Sequence, residues 1–287
     1  MRMIEKFDRA WTLGNACWKA LLLDKEMLLF PIMSTAALLL AIGGSVGPLW
    51  ASGTLETIME GFRANPDSAQ DPWVMAVAFG FYFVCYFIMI FFNTALVTCA
   101  MIRFAGGDPT VMDGLRSSMR NLHKIFAWAL FAASIGFLLN MVEQRLKGVG
   151  RFIAGLMGAA WAIATYFVVP VLVLEDVGPI GAVRRSVATV RQTWGESLIA
   201  HAGLSALQFI GAIGAALIFF GGLFVFDRDP LLAGALWGCA IAWLIITALV
   251  LSTLGAILKA ALYIYAIEGT VPDQFDSAMI RDAFRND

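Results

Sequence analysis

A continuous apolar run at residues 73–102, uncharged throughout 79–92, dominates the reading of this chain. About 20 mostly apolar residues suffice to cross the hydrocarbon core of a bilayer. Five further runs meet that requirement, at about 27–50, 125–142, 152–174, 198–226 and 231–267. The last is broken only by Lys259 and exceeds one perpendicular crossing. It is therefore expected to tilt, with its final turns leaving the membrane from Lys259. Barrel strands alternate over about 10 residues, whereas these runs are unbroken. In lipid every backbone N–H and C=O must be satisfied within the segment, so each run is expected to be helical.

Composition agrees. Of 287 residues, 60% are hydrophobic and only 14% charged, with mean hydropathy +0.78. Soluble domains carry about 25% charged residues, and a soluble fold could not cover this much apolar surface. The reading is all-α: one polytopic transmembrane helical bundle of about six spans, with amphipathic cytoplasmic surface helices. Residues 1–26 form a cytoplasmic amphipathic segment, 27–267 the bundle and 268–287 a cytoplasmic tail. The net charge of −1 implies no pull toward nucleic acid. Cys17, Cys85, Cys99 and Cys239 lack paired spacing and read as small buried hydrophobes. No cleaved signal peptide is read at the start of the sequence.

Lys and Arg set the orientation. Arg2, Lys6, Arg9, Lys19, Lys25, Arg103, Arg116, Arg120, Lys124, Arg184, Arg185, Arg191, Arg281 and Arg285 lie on one side. Arg63, Arg145, Lys147, Arg151 and Arg228 lie on the other, fourteen against five with Lys259 left out. The positive-inside rule then places both termini in the cytoplasm and the chain in the inner, plasma membrane. The connection at 143–151 breaks the rule locally, so a third and fourth span that do not fully cross remain an alternative.

Three basic stretches have helical periodicity. Ile4, Phe7, Trp11, Trp18 and Leu22 form one apolar stripe. Val111, Leu115, Met119 and Leu122 oppose Arg116, Arg120 and Lys124. Ile180, Val183, Val187, Val190 and Trp194 oppose Arg184, Arg185 and Arg191. Such helices can lie against anionic headgroups or pack on their own protein, and the pattern alone leaves both open. Each precedes a pair of spans, which suggests three units of surface helix plus hairpin. The outer loop at 51–72 reads as a solvated acidic loop with a turn at Asn65-Pro66-Asp67. Pro230 reads as an early helical position opening the sixth span.

Chemistry is sparse. Asn93 and Gln208 are candidates for polar contacts within the membrane, as interhelical hydrogen bonds or along a polar pathway. His201 sits just inside the fifth span, and Lys259 can snorkel to the interface. No catalytic, cofactor-binding or metal-ligating set is read: two histidines without paired cysteines give no zinc or haem pattern. No carboxylate lies well inside the first five spans, as an ion-coupled transporter usually requires. Gly43/Gly47 and Gly234/Gly238 have the spacing of helix-packing glycines. Broken helices remain open at 43–48 and at Gly221-Gly222, and a kink is expected at Pro170.

The stretch Tyr166-Phe167-Val168-Val169-Pro170, continuing through Glu175-Asp176-Val177-Gly178 to Ala182-Val183-Arg184-Arg185-Ser186 and Trp194-Gly195, resembles a motif of several bacterial membrane families. One is the membrane domain attached to some glycerophosphodiester phosphodiesterases. Asp24-Lys25-Glu26-Met27 with Phe30-Pro31, and Ala261-Leu262-Tyr263-Ile264-Tyr265 with Glu268-Gly269, are similar to an uncharacterised family of six-helix bacterial membrane proteins. The resemblance implies a membrane domain without assigned activity and carries no catalytic residue. The expectation is a non-enzymatic scaffold or accessory subunit, touching membrane lipids and other membrane subunits or itself. The alternative is a transporter or channel for an apolar or lipid-like solute.

Overall fold

A computed structural model describes residues 17–65, 68, 71–146, 149–192 and 194–268. Among them there is no strand, and six helices are long and apolar enough to cross a membrane. These run over Lys25–Ala51, Pro72–Phe104, Leu122–Arg145, Gly150–Leu174, Gly203–Val225 and Pro230–Ile264. The chain is a multi-pass membrane protein, and all six expected runs are helical. The first amphipathic stretch lies mostly outside the described residues, as do Lys147, the tail and its Arg281 and Arg285.

In chain order, α1 is Leu29–Ala51, α2 Thr54–Ala64, α3 Pro72–Phe104, α4 Val111–Arg120 and α5 Leu122–Arg145. Then come α6 (Val149–Ala164), α7 (Val168–Leu174), α8 (Pro179–Gln192), α9 (Trp194–Val225) and α10 (Pro230–Glu268). Two compact units emerge. One comprises Met1–Pro31, Cys99–Val111 and Thr189–Asp287; the other comprises Ile32–Thr98 and Met112–Ala188.

In the first unit, α9 and α10 form an antiparallel hairpin. Its turn is fixed by Asp229, whose Oδ1 accepts the Leu231 and Leu232 N–H groups at 3.1 Å each, with Pro230 opening α10. The seam is built of small side chains: buried Gly211, Ala215 and Gly222 on α9, and buried Ala233 and Ala240 on α10. The far part of α10 is buried nearly all round, with Thr253, Ile257, Ala260 and Tyr263 fully covered. A helix apolar on every side belongs inside protein. The turns near Lys259 are therefore packed against protein.

In the second unit, α5 and α6 pair through Trp128 stacked on Trp161 at 6.2 Å. α5 alone is about 36 Å long, enough to cross the hydrocarbon. The exposed Arg151–Glu143 pair spans the doubtful connection at 3.7 Å. The fourth crossing is jointed: α6 stops at Ala164 and α7 restarts at Val168. Proline cannot donate to the carbonyl four residues back. Pro170 thus lies in the first turn of α7, where the missing N–H costs least, and the break precedes it. The two breaks left open do not occur, since α1 runs through Pro48 and α9 through Gly221-Gly222. The loop at 51–72, read as solvated coil, contains α2.

Candidate functional site

In the second unit several polar groups have structural tasks. Ser118, fully buried on α4, donates its hydroxyl to the Phe91 carbonyl of α3 at 2.9 Å. Ser117 and Thr98 share a hydrogen bond at 3.1 Å. Ser186, fully buried on α8, accepts the Phe167 N–H at 3.0 Å, the donor exposed by the break before α7. An unpaired buried N–H would cost about 1–3 kcal/mol. Past α7, Arg185 Nε donates to Glu175 Oε1 at 2.7 Å. Lys124 Nζ donates to the Glu175 carbonyl at 3.2 Å and pairs with Asp176 at 2.9 Å. The hydrogen bond from Lys124, and then its charge, hold the Asp176 carboxyl below its ordinary range.

The six basic residues singled out by periodicity thus divide. Lys124 belongs to α5, not to the surface helix, and with Arg185 it neutralises acids of its own chain. Arg116 and Arg120 on α4, and Arg184 and Arg191 on α8, are exposed and make no ion pair among the described residues.

The two surface helices turn an unexpected face inward. On α4 the buried residues are Gly114 and Ser118. On α8 they are Ala182, Ser186, Thr189 and Val190. Apart from Val190, the residues facing the protein are small or carry a hydroxyl. Of the apolar stripes, Met119 (59%) and Ile180 are exposed with the arginines, as is neighbouring Met112, whereas Val111, Leu115, Val183 and Val187 are half-buried and Val190 is buried. A signal for this was present in the sequence, because Leu115-Arg116-Ser117-Ser118 and Val183-Arg184-Arg185-Ser186 share the order apolar–Arg–x–Ser. Only the contacts make its meaning plain.

The intramembrane candidates are not brought together. Asn93 is half-buried on α3 and Gln208 exposed on α9, and neither makes a hydrogen bond among the described residues. The side chain of His201 lies outside the described residues. Gly43, Gly47, Gly234 and Gly238 pack against nothing, since an added Cβ at each would meet no atom within 4 Å. The packing glycines are others. A Cβ on Gly211 would meet Thr247 Cγ2 at 2.5 Å, one on Gly222 Trp237 Nε1 at 2.6 Å, and one on Gly136 the Tyr82 hydroxyl at 2.8 Å.

A family of unknown function, DUF6159, matches residues 73–272. The chain belongs to this family. No curated protein and no solved structure matches it. The DUF6159 match takes in α3 to α10, hence both inward-facing serines and the Glu175-Asp176 elbow, and begins after α2.

The first unit holds a cluster that sequence reasoning missed. Arg103, in the last turn of α3, forks between buried Asp24 and exposed Asp108, the latter at 2.5 Å. Asp24 precedes the first span, and Asp108 follows a helix-ending turn. There Gly106 adopts φ +81°, Gly106 N–H donates to Arg103 O at 3.0 Å, and Gly107 N–H to Ile102 O at 2.9 Å. The signal was a lone arginine closing a long uncharged helix, a charge that has to find a carboxylate or water. Of the cysteines, Cys17 and Cys99 are buried, and burial pushes the Cys17 thiol up to about 12. Cys239 is exposed on α10, contrary to its reading as a buried hydrophobe.

Proposed function

We propose that this DUF6159 chain is a non-enzymatic scaffold or accessory subunit of a membrane complex, seated on anionic lipid through α4 and α8. The observation that carries the reading is the exposure of apolar side chains beside the arginines of those helices. Had the apolar stripes faced inward, the arginines would mark an ordinary solvated face. Instead the stripes are covered only in part: Met119 and Ile180, with neighbouring Met112, are exposed beside Arg116, Arg120, Arg184 and Arg191. An exposed apolar stripe edged by cations suits the headgroup boundary, where each Lys or Arg near an anionic surface is worth about 1 kcal/mol. The buried polar side chains serve backbone groups and elbows, which suits a structural role. Both termini are cytoplasmic on this reading, and the membrane is a bacterial inner membrane. A kinship with the membrane domain of glycerophosphodiester phosphodiesterases fits the Tyr166 to Ser186 stretch as architecture only.

A second reading, transport of an apolar or lipid-like solute, draws on the interrupted fourth crossing, since broken helices line many transport sites. The buried Phe167 N–H that the break leaves over is already taken by Ser186, which weighs against it. Purification in mild detergent decides between them. A stoichiometric protein partner is the expected result. A solitary chain that moves lipid or solute across liposomes would overturn the scaffold reading. Flux that persists in Asn93→Ala and Gln208→Ala variants would remove those two residues from any transport route.

A further inference from the structure

The helix that hydropathy missed, α2, is amphipathic. Leu55, Ile58, Met59 and Phe62 recur at spacings of three and four and share one face. Glu56, Glu60 and Arg63 share another. Ile58 and Met59 are exposed, so the protein leaves this stripe largely uncovered. In water such a stripe is unfavourable by roughly 25 cal/mol for each Å² of apolar surface.

The flanking chain fixes where α2 sits. Two residues, Ser52 and Gly53, separate it from α1, so its start lies within about 11 Å of the end of a spanning helix. Gly53 takes φ +70°, a left-handed conformation that turns the chain sharply out of the α1 direction. The Ser52 and Thr54 hydroxyls pair across this corner at 2.8 Å. Trp50 in the last turn of α1 and Trp73 at the start of α3 are 72% and 76% exposed. Exposed tryptophans at span ends mark the boundary between hydrocarbon and water. α2 is thus bracketed on both sides by residues at that depth. The spanning helix that precedes it exposes Leu39 and Leu40.

We propose that α2 is an interfacial helix lying in the leaflet at the opposite end of α3 from α4. Leu55, Ile58, Met59 and Phe62 enter the acyl boundary, and Glu56, Glu60 and Arg63 stay among headgroup water. The occupant of the stripe is lipid. Because its polar face carries two acids and one base, attachment rests on apolar insertion and needs no anionic headgroup. This differs from α4, whose polar side is cationic.

The test uses the full chain with Cys85 and Cys239 replaced by alanine; Cys17 and Cys99 are buried. Single cysteines at Ile58, Met59, Glu56 or Glu60 carry an environment-sensitive dye, and each variant is reconstituted into phosphatidylcholine vesicles. Dyes at 58 and 59 are expected to be quenched by lipid-borne nitroxide, and to be several-fold less accessible to iodide than dyes at 56 and 60. Equal iodide access at all four positions would overturn the proposal, since α2 would then be a solvated loop. Shielding of 58 and 59 from both quenchers would also overturn it, by showing a protein partner or second copy on the stripe. If the lipid contact arose only when phosphatidylglycerol was added, attachment by apolar insertion would be refuted.

Discussion

α1 and the α9–α10 hairpin are both rich in glycine, but they use it in opposite ways. On α9, Gly211 and Gly222 are buried notches into which Thr247 and Trp237 of α10 project. Trp243 and Trp237 then donate their indole N–H groups to the Gly211 and Phe219 carbonyls, at 2.9 and 3.2 Å. On α1, Gly43 and Gly47 have the spacing associated with close helix approach, yet nothing approaches them. Spacing alone therefore does not make a packing site. A glycine becomes one when a large side chain on the neighbouring helix is aimed at it.

The contrast is strongest at Gly222. An added methyl would strike both the Trp237 ring and the Ala233 carbonyl. Gly222→Ala is expected to destabilise the protein in detergent by about 1–3 kcal/mol, measured by thermal or denaturant unfolding. An unchanged midpoint would mean the notch is not a tight contact. Gly211→Ala should cost about the same or less. That loss should be partly recovered by adding Thr247→Ser, because the offending atom is one methyl, Thr247 Cγ2. Failure of the second substitution to rescue would place the strain elsewhere. Trp243→Phe keeps most of the ring and deletes the donor to Gly211, so a loss of about 0.5–1.5 kcal/mol is expected. Gly43→Ala and Gly47→Ala should be neutral or stabilise by about 0.5–1 kcal/mol, as alanine is the better helix former. A marked loss there would reveal a partner on α1.

The smallest effect concerns charge. Asp176 is held ionised by Lys124, so its folded-state pKa is depressed. Whatever stability the pair supplies is present above the unfolded carboxyl value, near pH 4, and is lost as pH falls through the lower folded value. Lys124→Gln should flatten that acid limb of the stability profile, whereas Arg184→Gln should leave it unaltered.

Six spans, their order and the start of α10 at Pro230 were legible because hydrocarbon imposes length and continuity on any segment that crosses it. The interior of the first unit was not. Hydropathy cannot distinguish an apolar residue facing lipid from one facing protein, which is why the burial around Tyr263 went unread and Cys239 read as core. The basic stretches were legible as helices, but not in their facing, since Ser118 looks unremarkable until the Phe91 carbonyl is placed beside it. α2 escaped notice because its acids and turn residues at 65–67 suggested a loop, while four apolar side chains at helical spacing lay within it.

Arg103 serves two acids of very different standing, Asp24 at 7% exposure and Asp108 at 93%. Mobile ions compete readily for a wet partner and poorly for a sheltered one. Raising ionic strength should therefore loosen the turn that carries Asp108 while the segment anchored through Asp24 holds firm. The single guanidinium gives this end of the molecule an order of release, outer tether before inner.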